Sequence, residues 1–169
     1  MRTPKTTLCC TALAIISLSV TIGARAQSDD DKKFLATAAQ SGVNEIKLSQ
    51  LAEEKASNAD VKAFAHKMVV EHKRLSAQMK PFVTEWSIAP PTDLDDDHKK
   101  EYAKLNGLSG GDFDKEYIDE MVSDHATALR DFTSEAKDTK DVKFRAAVLK
   151  GKTVVAAHKN MAYDLKKKL

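Results

Sequence analysis

The sequence predicts an all-α protein, an antiparallel four-helix bundle with a long crossover that contains a short helix. Three observations carry this reading. Apolar residues recur at steps of three and four through four long segments, no segment shows the two-residue alternation of a strand, and the Gly and Pro clusters fall in one connection. That connection, Ile88 to Gly111, is long enough to take the chain from one end of a bundle to the other.

The first helix opens on Asp29, Asp30 and Asp31, whose negative charge suits a helix N-terminus. Phe34, Ala38, Ser41, Glu45, Leu48 and Ala52 follow on its apolar stripe. Ser57-Asn58-Ala59-Asp60 reads as a turn with a cap. The second helix then places Val61, Phe64, Ala65, Met68, His72, Leu75 and Met79 on one face. Pro81 should kink or end it, because proline lacks the N–H and crowds the preceding turn. The connection opens on Pro90-Pro91, closes on Ser109-Gly110-Gly111 and holds a short helix over Asp93 to Leu105. Asp112 can cap the third long helix, whose stripe is Phe113, Tyr117, Met121, His125, Ala128 and Phe132. Lys137 to Asp141 is the next turn, and Phe144, Val148, Gly151, Val155, His158, Ala162 and Leu165 mark the fourth long helix.

The N-terminus reads as a secretory signal peptide over residues 1–26. Arg2 and Lys5 are its positive region, Leu8 to Ile22 its apolar run, and Ala24-Arg25-Ala26 its cleavage site. Residues 27–169 form the bundle domain, about 143 residues and enough for one core. Both cysteines, Cys9 and Cys10, lie in the leader, so the mature chain has neither a disulfide nor a thiolate ligand. Loss of three basic residues with the leader brings the net charge to about −1. Nothing in that balance points to nucleic acid, and after cleavage no segment calls for membrane insertion. The expected location is periplasmic or secreted, and the sequence leaves the oligomeric state open.

One polar, coordinating side chain sits on each apolar stripe: Glu45, His72, His125 and His158. The motif Met-Val-x-acid-His occurs twice, at Met68 to His72 and at Met121 to His125, which suggests a shared interior site. Imidazole and carboxylate together suit a transition metal such as Zn, Cu or Fe, and bundle cores are a recurrent place for such ions. Counting from the turns brings Glu45 and His72 to similar depths, so these two should meet. The same count offsets His158 from His125 by about 9 Å, which makes His158 the least certain fourth ligand. Glu71 and Asp124 flank the site, either bonding to ligands or facing solvent, and Met68 and Met121 could serve as soft ligands or simply fill the core. His98, in Asp95-Asp96-Asp97-His98, reads first as part of a solvated acidic run, with a weak surface cation site as the alternative. Protonation of the imidazoles should weaken any metal site below about pH 6.

The residues three before His72 and His125 are Val69 and Val122, so the Glu-x-x-His steps of di-iron carboxylate bundles are missing. No phosphate loop, nucleophile elbow or HExxH motif is present, and no residue is assigned a catalytic role.

In this order, Phe34-Leu35-x-x-Ala38-Ala39 with Glu45, Val61-Lys62-x-Phe64-Ala65, Met68-Val69-x-x-His72, Leu108-Ser109-Gly110, Phe113-Asp114-x-x-Tyr117, Met121-Val122-x-Asp124-His125 and His158 carry a family likeness. The chain resembles the exported bacterial proteins grouped as domain of unknown function 4142, which are placed with the ferritin-like helical folds. The resemblance implies a ferritin-like bundle with Glu45, His72, His125 and His158 at the family's polar positions. It implies no established activity. The leading expectation is therefore an exported bundle that binds a transition metal for storage, buffering or stress protection. The alternative is a non-catalytic envelope protein that binds a partner and whose core histidines are structural or sense pH.

Overall fold

In a computed structural model, the chain is described over residues 28–169; the leader read at residues 1–26 lies outside the described residues. Five helices follow in order: α1 (Asp29–Lys55), α2 (Ala59–Glu85), α3 (Asp96–Gly107), α4 (Gly110–Asp138) and α5 (Val142–Lys166). Among the described residues there is no strand.

Each start is fixed by a local polar bond, with one exception. Ser28 and Asp31 form a reciprocal capping box at α1, the Ser28 hydroxyl accepting from the Asp31 N–H at 3.0 Å. Asn58 caps α2, Asp95 caps α3 and Asp141 caps α5. At α4 the cap residue is Ser109, which makes no side-chain cap bond. Asp112, expected as that cap, lies instead in the first turn, where it faces the positive end of the dipole.

The two hairpins α1–α2 and α4–α5 are antiparallel, with α1 beside α4 and α2 beside α5. The crossover carries the chain back to the α1–α2 turn. There buried Asp114, in the first turns of α4, accepts from the N–H groups of Ser57 at 3.0 Å and Asn58 at 2.9 Å. This clamp satisfies N–H groups at the approach to α2 and sets the level at which α4 begins. Every adjacent pair of long helices is thus antiparallel, while α2 and α4 run the same way on a diagonal. The expected four-helix bundle with its crossover helix is present.

Helix α2 does not stop at Pro81; it runs on to Glu85. An interior proline costs about 3 kcal/mol through a lost hydrogen bond and a clash with the preceding turn. Continuing the helix places Phe82 and Trp86 against Phe144, with ring centroids 5.1 and 4.6 Å apart, and that burial offsets the cost.

The apolar core is divided. One cluster, near the α1–α2 turn, includes Leu48, Phe64, Met68, Leu105, Phe113, Tyr117 and Met121. A second, at the opposite end, includes Leu35, Met79, Trp86, Phe132, Phe144, Val148 and Val155. Between them lies a buried polar layer made by Asn44, Glu45, His72, His125 and His158. In the second cluster α5 presses closely on α4: a Cβ added at Gly151 would stand 2.4 Å from Cε1 of Phe132.

Candidate metal centre

Three of the four expected ligands converge. His72 of α2, His125 of α4 and His158 of α5 each place one ligand atom within 4.8 Å of the others. Their ring centroids form a near-equilateral triangle, 5.5 Å from His72 to His125, 5.2 Å from His72 to His158 and 5.3 Å from His125 to His158. The expected axial offset of His158 is therefore corrected. With α4 ending at Asp138 and α5 starting at Val142, the two histidines differ in depth by about three residues, roughly 4–5 Å of rise, which helix tilt absorbs.

Each ring is oriented by its surroundings. His125 donates its Nδ1–H to the Met121 carbonyl at 2.8 Å, which leaves Nε2 as the lone-pair nitrogen facing the trio. That nitrogen lies 3.4 Å from Nε2 of His72. His158 donates its Nε2–H to Oε2 of Glu71 at 2.6 Å, so its lone pair is on Nδ1. Nδ1 of His158 is buried with no hydrogen-bond partner. An orphaned basic nitrogen in a buried layer is what a cation ligand requires.

Burial governs the protonation of the trio. Desolvation, followed by the neighbouring imidazoles, holds His72 well below the usual histidine range. Desolvation and then His158 lower His125 to about 4, and desolvation also lowers His158 despite its Glu71 partner. All three rings are thus neutral at neutral pH and can act as ligands.

Glu45 stands beside His125, its Oε1 3.7 Å from Nδ1, on the side facing away from the trio. The structure places it there rather than in the expected meeting with His72. Its carboxyl is buried, and desolvation followed by the charge of Asp124 raises it well above the usual carboxylate range. Glu71 reaches across the bundle to His158 and is itself held by Lys67 at 2.7 Å. Asp124 turns instead towards His98, 3.5 Å from its Nε2. Met68 and Met121 lie in the apolar cluster near the α1–α2 turn. Of the two readings offered for Glu71, the bond to one of the expected ligand histidines is the one present, but the sequence did not name His158 as its partner. The two residues are 87 positions apart, and the only signal was the acid before each motif histidine.

The fold and this layer define a class: a helical bundle whose core holds three neutral imidazoles flanked by carboxylates. The chain belongs to the family described as domain of unknown function (DUF4142), whose family model matches residues 19–165. No curated protein matches it. Among solved structures, a DUF305 fragment from Deinococcus radiodurans superposes with a TM-score of 0.74 at 13% identity, covering 85% of this chain and 99% of that one. A DUF305 protein from Streptomyces coelicolor gives 0.68 at 13% identity, covering 80% and 89%. CopM in its Cu(II)-bound form gives 0.69 at 17% identity, covering 82% and 96%. These likenesses show a shared helical fold. No helix of the described residues is long and apolar enough to cross a membrane.

Proposed function

We propose that this is an exported protein that holds one transition-metal ion between its helices, with His72, His125 and His158 as ligands. The carrying observation is the 3.4 Å separation of Nε2 of His72 from Nε2 of His125. Two nitrogens bound to one ion at about 2.0–2.1 Å and a tetrahedral angle stand roughly 3.3–3.4 Å apart. The orphaned Nδ1 of His158 supplies a third donor.

The flanking carboxylates supply the charge balance that a buried cation needs. Glu71 bonds to the outer nitrogen of His158, which orients the ring and raises its basicity, and Glu45 lies near Nδ1 of His125. Glu45 would ionise as the cation entered, releasing a proton. Imidazole ligation accommodates Zn, Cu or Fe. The shared fold with CopM, solved with Cu(II), Cu(I) and silver, supports copper as the first ion to test. Ligation by three buried neutral groups suits storage or buffering, which asks for retention rather than turnover.

The test is elemental analysis of untagged protein from the envelope of its own host, beside a His72→Ala, His125→Ala double variant that retains its helical spectrum. Near-stoichiometric metal in the parent and none in the variant is the expected result. A parent that takes up neither copper, zinc nor iron overturns the reading.

A further inference from the structure

A second group of ligand-bearing side chains gathers where the crossover helix leans on α4. His98 of α3 and Glu120 and Asp124 of α4 each place one ligand atom within 4.8 Å of the others. The His98 ring is fixed from behind. Asp95, the cap of α3, accepts from its backbone N–H at 2.9 Å and from its Nδ1–H at 2.7 Å. Asn44 of α1 holds the other oxygen of Asp95 at 2.7 Å. Nε2 of His98 is thereby turned towards the buried Oδ2 of Asp124 at 3.5 Å, a long ion pair that leaves this oxygen without a close hydrogen bond. A carboxylate behind an imidazole whose far nitrogen faces further carboxylates is the arrangement that orients a histidine on a metal.

An independent observation lies one layer deeper. The Glu45 side chain is 4% exposed, and its Oε2 has no hydrogen-bond partner. Asp124, His98 and Glu120 are the charged groups near enough to act on it, so it lies close to this group as well as to His125. Lys104, the cation near Glu120, is engaged by Glu116 and Glu101. Burial and the charge of Asp124 raise Glu45 well above the usual carboxylate range and Glu120 to about 7, while Asp124 and Asp95 hold His98 protonated up to about 9, so a divalent ion entering here would displace protons from these groups. A cavity of about 450 Å³ between α1 and α4, lined in part by His98 and Asp124, gives the group access to solvent.

We propose that Nε2 of His98 with the carboxylates of Glu120 and Asp124 forms a second cation site, for a divalent ion that accepts mixed oxygen and imidazole ligation. Glu45 is the carboxylate between the two centres. The donor set is harder than that of the histidine trio, so the two sites should sort ions by class, with Mn(II) entering the second in preference to the first.

Mn(II) itself is the probe, added to chelator-stripped protein and followed by loss of the free-ion EPR signal. The expected result is one Mn(II) per chain that persists in a His72→Ala, His158→Ala variant. Its affinity should fall at least tenfold in Glu120→Gln, Asp124→Asn and again in His98→Gln. The carboxamide variant removes like charges, so it should fold at least as firmly as the parent, which the thermal midpoint checks. Mn(II) uptake unchanged in the carboxamide variant, uptake abolished only by loss of the trio, or no uptake by the parent at sub-millimolar ion would each overturn the second site. Because the trio variants are scored separately, failure here is distinguishable from failure of the first centre.

Discussion

Glu71 of α2 accepts a 2.6 Å hydrogen bond from Nε2 of His158 on α5, across a bundle in which that imidazole is fully buried. The bond fixes the tautomer of His158 and sends its lone pair to Nδ1. Glu71→Gln keeps the shape of the side chain but removes the charge, so the ring is held less firmly and becomes less basic. The expected outcome is a metal affinity lowered by about 10–100-fold with the helical content intact. Competition titration against a chromophoric chelator measures it, and an affinity within a factor of two of the parent would remove Glu71 from the site.

Acid should act on the trio at lower pH than exposed histidines would suggest. Unfolded histidines titrate near 6.5, whereas burial holds His125 near 4 and lowers His72 and His158. The unfolded chain therefore binds more protons than the folded one between these values, and stability must fall as pH drops through that window. The shift of His125 alone corresponds to about 3 kcal/mol, to order of magnitude. With burial holding His125 near 4 and lowering His72 and His158, the expected weakening of a metal site should set in at lower pH than the value of about 6 that ordinary imidazoles would give. Denaturant midpoints at pH 7 and pH 4.5 check the slope, and His125→Gln should flatten it.

Most of the fold was legible because periodicity and capping are local. The four stripes located the long helices, and the turn residues located the hairpins. The interior polar positions were legible too, since a histidine such as His72 among Val, Phe and Met can only face the core. Partnership was not legible. The axial register of α5 against α4 depends on where both helices end and on the close approach at Gly151, so residue counting misjudged His158. The role of His98 depends on the crossover helix folding back onto Asn44 and Asp124, contacts that no run of acidic residues announces. At Pro81 a local rule was outweighed by the burial of Phe82 and Trp86.

Glu135 provides a pH effect of the opposite sign. It is buried near Asp31, and desolvation together with that neighbour raises its carboxyl to about 7. Its folded value lies above its unfolded value of 4.5, so the folded state binds more protons over that interval and stability falls as pH rises from 4.5 to 7. Glu135→Gln removes the ionisation and should stabilise the protein at pH 8 by about 1–2 kcal/mol after allowance for solvent screening, with little change at pH 4.5. Equal effects at both pH values would show that packing rather than charge governs the position.

The end of α2 is built on a strained residue. Ser87 has φ of 55°, in the left-handed region, while Ile88 donates back to the Val83 carbonyl at 3.0 Å and closes the helix. A residue with a Cβ pays about 1 kcal/mol or more for that conformation, and glycine does not. Ser87 is exposed, and its side chain makes no hydrogen bond that a glycine would forfeit. The opposing term is the larger unfolded-state entropy of glycine, about 0.5–1 kcal/mol, which offsets part of the relief. Ser87→Gly should therefore raise stability by up to about 1 kcal/mol, and Ser87→Val should lower it by more than that, because a branched Cβ is the least tolerant of positive φ. Thermal midpoints of the two variants decide the matter: a Val variant as stable as the Gly variant would mean that the turn relaxes to negative φ, and that the strain is not intrinsic to the way α2 ends.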